Sequence, residues 1–121
     1  MKSKHNNEFN KILEPIISLI KKSKKVKLKL KSNTWQSTMI TKNIDALNIA
    51  HTLMNGSYTE NINYNIIELD EAIDTLNELI VKVENTLLKF TKGTSQYTLQ
   101  SNRLYSLQIA VSTIINYKKQ I

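Results

Sequence analysis

The chain has 121 residues, with 17 Lys and Arg against 10 Asp and Glu, a net charge of +7. That length suits one domain able to bury a core unaided. The absence of cysteine excludes disulfides, thiolate catalysis and Cys-based metal sites. No run of about 18 apolar residues occurs, and the stretch Ile12–Ile20, broken by Glu14 and Pro15, makes a poor signal peptide, so a cytoplasmic location is the expectation.

Breakers are scarce: Pro15, Gly56 and Gly93 are the only Pro and Gly. Long apolar periods without breakers predict an all-α protein. The first helix is predicted from about Asn7 to about Ser32, with Phe9, Ile12, Leu13, Ile16, Ile17, Leu19 and Ile20 recurring at threes and fours. Pro15 either opens a helix starting near Leu13 or kinks a longer one. Val26–Lys31 alone reads as a strand, but its position at the end of a helical pattern favours helix. Asn33 is suited to a left-handed helix end and Thr34 to capping the second helix, Trp35 to about Met54.

A linker follows over about 55–64. The third helix is predicted from about Asn65 to Lys92, opened by Asn65 and Glu68 as a capping box, with Glu68, Asp70, Glu71 and Asp74 at its positive end. Gly93 then ends it, Thr94 caps the next, and the fourth helix runs from Ser95 to about Lys119.

These elements repeat. Residues 8–54 laid over 68–114 give 12 identities in 47 positions without a gap, among them Leu19/Leu79, Leu28/Leu88, Thr34/Thr94, Leu47/Leu107 and Ala50/Ala110. Chance in this composition gives about four. The expected fold is therefore all-α: a single antiparallel up-down four-helix bundle over 1–121, built from two tandem αα-hairpin repeats (about 8–54 and about 65–119) related by a pseudo-two-fold. Ala50 and Ala110 are the expected points of close helix approach.

Charge is uneven. Residues 1–60 hold eleven Lys against four acids, whereas residues 61–121 balance six against six. The densest part is Lys21, Lys22, Lys24, Lys25, Lys27, Lys29 and Lys31, followed by Trp35. One reading is a patch for phosphate, which binds nucleic acid with strong salt dependence. Against it stands the residue type, since base readers use Arg, Asn and Gln and single-strand binders use aromatics. The plain alternative is a solvated lysine face in a chain whose Lys outnumber Arg sixteen to one, as AT-rich coding in low-G+C bacteria and their mobile elements produces. A membrane-surface helix is disfavoured, because the repeat gives the first helix a core face.

Thr34, Gln36 and Thr38 recur as Thr94, Gln96 and Thr98. Turn chemistry, with Thr capping and Gln satisfying free amides, accounts for them. A sharper reading is a pair of symmetric polar sites. Asp70, Asp74 and Glu78 form one acidic stripe, to which Arg103 is expected to pair. Trp35 is read either as a plug over the bundle end or as an exposed anchor for a partner.

His5 and His51 belong to no metal-ligand spacing, and no phosphate loop or catalytic triad can be nominated, so neither a cofactor, a metal nor an enzyme activity is expected. The expected function is a non-enzymatic protein–protein interaction module, as an inhibitor, immunity or regulatory factor would be. Nucleic-acid binding through the first repeat is the alternative, and a homodimer through an exposed apolar face is a third reading.

Overall fold

The computed structural model describes residues 4–56 and 62–121, with side chains from residue 8 onward. Four helices follow in order: α1 Lys4–Lys29, α2 Trp35–Asn55, α3 Ile66–Leu87 and α4 Ser95–Lys118. Each packs on its neighbours in sequence and α4 returns to α1, the pattern of an up-down four-helix bundle. The ion pair of Asp70 near the start of α3 with Lys118 at the end of α4 (2.5 Å) shows that these two run antiparallel. Part of the predicted linker, residues 57–61, lies outside the described residues.

The bundle is not square. The backbones of α2 and α4 approach closely across the diagonal, whereas those of α1 and α3 stand farther apart. Side-chain size explains this. Ala46 and Ala50 on α2 and Ser106 and Ala110 on α4 are all essentially buried, so little bulk keeps their backbones apart. Ile16 from α1 and Leu69 and Leu76 from α3 fill the flanks, with Leu47, Leu107 and Ile114. Each such side chain contributes about 1.5–3 kcal/mol by leaving water.

The turns follow local stereochemistry. Asn33 and Gly93 adopt φ of 64° and 91°, the left-handed region that suits these residue types. Thr34 and Thr94 then cap α2 and α4, each Oγ1 accepting from the backbone N–H three residues on, at 3.2 Å in both cases. Asn65 and Glu68 complete the capping box of α3. The linker's last residues are tied to α4: Tyr117 packs edge-on against Tyr64 and its hydroxyl donates to the Ile62 carbonyl at 3.5 Å.

Several expectations need correction. α1 begins at Lys4, ahead of the predicted Asn7, and runs through Pro15, which is the longer of the two helices weighed above. Lacking an N–H, Pro15 leaves the Lys11 carbonyl without its usual donor. α1 and α3 stop at Lys29 and Leu87, short of the predicted Ser32 and Lys92. There the chain tightens to bonds spanning three residues, Leu30 to Lys27 and Lys89 to Thr86. Trp35 is no plug, being 70% exposed. Arg103 does not reach the acidic stripe: Asp70 pairs with Lys118 instead.

Candidate functional site

Burial is concentrated in one half of the molecule. No side chain in 17–42 or 84–102 is fully buried, and beyond Leu19 and Ile20, which still pack on the core, the hairpin arms reach past it. The α1–α2 arm is the barer. Residues 24–29 are all exposed, and six consecutive residues cover more than one full turn of helix. Every side chain over 24–29 thus keeps more than a third of its surface in water, Val26 included at 40%.

That arm carries Lys21, Lys22, Lys24, Lys25, Lys27, Lys29 and Lys31, all exposed. Among the described residues none of them pairs with a carboxylate. Lys27 and Lys29 lie in the last turn, where the macrodipole favours cations and partly offsets their mutual repulsion. Between the lysines stands Leu28, 87% exposed, with Trp35 across the turn. The α3–α4 arm repeats the feature with fewer charges: Leu88 is 85% exposed, beside Lys89 and Lys92. In an up-down arrangement both turns lie at one end of the bundle.

The polar triplets are separate. Thr34 Oγ1 donates to the Lys31 carbonyl (2.8 Å) and Thr94 Oγ1 to that of Thr91 (2.7 Å). Thr38 and Thr98 each donate to the carbonyl of the capping Thr at 3.2 Å. Every one of these bonds stays within its own turn. Gln36 and Gln96 are exposed, and Gln96 Oε1 accepts from Ser95 Oγ at 3.4 Å rather than from a backbone amide. The helix-start amides above are met by the threonines.

Two grooves flank the bundle. One lies between α1 and α4, with a volume of about 800 Å³. Its α1 wall is residues 8, 11, 12, 14, 15 and 18. The other lies between α2 and α3, and its α3 wall is residues 68, 71, 72, 74, 75 and 78, each sixty further on. Their charges differ. The α2–α3 groove sets Lys42 against Asp45, Glu68, Glu71, Asp74 and Glu78. The α1–α4 groove sets Lys11 and Arg103 against Glu8 and Glu14.

Arg103 is the residue that sequence reasoning misplaced. It is 8% exposed, and its Nε is buried without a hydrogen-bond partner. Burial pushes its pKa down from the usual arginine value, because the charged form loses hydration. A signal was present: Arg103 lies on the same face as Ser106, Leu107 and Ala110, the buried stripe of α4. His51 is half-buried, and among the described residues no three His, Cys, Asp or Glu side chains are grouped to hold a metal. No helix among them is long and apolar enough to cross a membrane.

Compared with models of known protein families, with curated proteins and with solved structures, the chain matches none.

Proposed function

We propose that this chain is a non-enzymatic protein-interaction module, of the inhibitor, immunity or regulatory kind, built from two copies of one helical hairpin. Its partner docks on the α1–α2 arm. The observation that carries this reading is the exposure of two large apolar side chains, Leu28 at 87% and Trp35 at 70%, on an arm with no buried side chain. Covering one such apolar side chain is worth about 1.5–3 kcal/mol, and Trp is enriched among the residues that dominate interfaces. The unpaired lysines around them steer an acidic partner and raise the association rate more than the affinity. Leu88 on the second arm supplies an outer contact.

Nucleic acid is the competing reading, favoured by the seven unpaired lysines. The two differ in salt response. Phosphate contacts by several lysines lose orders of magnitude in affinity between about 50 and 200 mM salt, whereas an apolar anchor persists. The test is retention of the cellular partner on the immobilised chain at both salt concentrations, for wild type and for Leu28→Ser with Trp35→Ser. The proposal expects retention at the higher salt and its loss in the variant. Retention that vanishes with salt, or a variant that binds as wild type does, refutes it.

A further inference from the structure

We infer that the α1–α4 face is a self-association surface, on which two copies of the chain pair about a two-fold axis with Arg103 of each copy meeting Glu14 of the other. This surface is separate from the arm that the proposed function uses.

Three observations converge on it. The first is the guanidinium. A residue 8% exposed, with a buried Nε that nothing satisfies, lines an open groove rather than a sealed interior. The buried Nε is itself out of reach, so a carboxylate from outside meets the guanidinium at the edge that lines the groove, in a charge-assisted bond. The second is charge. An isologous contact places the same patch on both sides, so the patch must complement itself. In the α1–α4 groove two cations, Lys11 and Arg103, face two carboxylates, Glu8 and Glu14, and they stand on both walls: Arg103 on α4, the glutamates on α1. A two-fold that lays α1 of one copy over α4 of the other matches opposite charges twice.

The third is the apolar rim. Leu99 and Tyr105 line this groove at 47% and 59% exposed, supplying area that the ion pairs alone lack. The sister groove provides an internal contrast. Between α2 and α3 five carboxylates oppose one lysine, and Asp45 stands where Tyr105 stands. Two copies meeting there repel. One of the two faces can pair with itself and the other cannot, which gives a closed dimer rather than a filament.

Sedimentation equilibrium on the full chain tests this. Wild type is expected to follow a monomer–dimer equilibrium that ends at two copies. Glu14→Arg and Arg103→Glu are each expected to weaken pairing at least about thirtyfold, because each sets like charges together twice. Mixing the two variants restores both opposite-charge pairs, so a heterodimer of wild-type affinity should form where neither variant pairs alone. Glu14 is exposed, and Glu14→Arg should keep a wild-type helical spectrum. If Arg103→Glu does not fold, Tyr105→Glu replaces it and is expected to abolish pairing without unfolding. A wild-type chain that stays monomeric at millimolar concentration overturns the proposal. So does a Glu14→Arg variant that pairs normally, or a mass that climbs past two copies, which points to basic arms entering acidic grooves head to tail.

Discussion

Replacing Arg103 with Met should make the isolated fold more stable. Arginine at this position holds a nearly fully buried side chain whose Nε has no partner. An unsatisfied buried donor costs about 1–3 kcal/mol, and more when charged. Methionine follows the path of the arginine stem, fills irregular space and carries no donor. Loss of the stem's own packing returns part of the gain, leaving a net stabilisation of about 1–2 kcal/mol, or roughly 4–8 °C in Tm for a chain of this size.

The pH behaviour follows from the sign of the shift. Burial lowers the pKa of the folded-state guanidinium relative to its unfolded value. The folded state thus binds this proton less tightly, and the resulting destabilisation is present in full at every pH below the folded value. Arginine keeps its proton in proteins, so the gain from Arg103→Met should be constant from about pH 4 to 9. Urea unfolding followed by circular dichroism, at concentrations low enough to keep the chain monomeric, measures it. A loss of stability greater than about 1 kcal/mol would refute the reasoning, because it means the guanidinium is satisfied within the monomer. The same variant should lose self-association, so the residue trades stability of one copy for pairing of two.

Other substitutions probe the turns and arms. Thr34→Ala and Thr94→Ala should each cost about 1 kcal/mol by urea unfolding, equally and additively, since their capping bonds have the same length in separate turns. Gly93→Ala should cost about 1 kcal/mol through backbone strain alone, because its added Cβ meets no atom within 4 Å, while Asn33→Gly should be neutral or slightly stabilising. Leu28→Ser and Leu88→Ser should change stability by less than about 0.5 kcal/mol, whereas Leu76→Ala, fully buried, should cost about 3 kcal/mol in the same assay.

What could be read in the chain was what is decided locally. The Thr caps, the left-handed Asn33 and Gly93 and the Asn65–Glu68 box each depend on three or four neighbouring residues, and all are present as read. Helix ends were less legible. Lys31 and Thr91 carry nothing that forbids helix, yet the geometry of turning into the next helix tightens the chain before them. Exposure of Trp35 was open because it depends on how far the core extends along each hairpin, and a helical period does not record where neighbouring helices stop covering it. Arg103 was misassigned for the opposite reason. Its charge suggested a carboxylate partner on the exposed stripe, while its register on α4 already placed it inward. Each groove lies between two helices, and that between α1 and α4 joins the two ends of the chain, so no single segment announces them.

The most direct measurement for the docking arm is photo-crosslinking in the cell that makes the chain, with a crosslinking side chain at position 35 and, as control, at exposed position 108. A discrete, nuclease-resistant protein adduct from position 35, absent from position 108 and lost when Leu28 is changed to Ser, is the predicted result. Equal labelling from both positions, or adducts that nuclease removes, would contradict it.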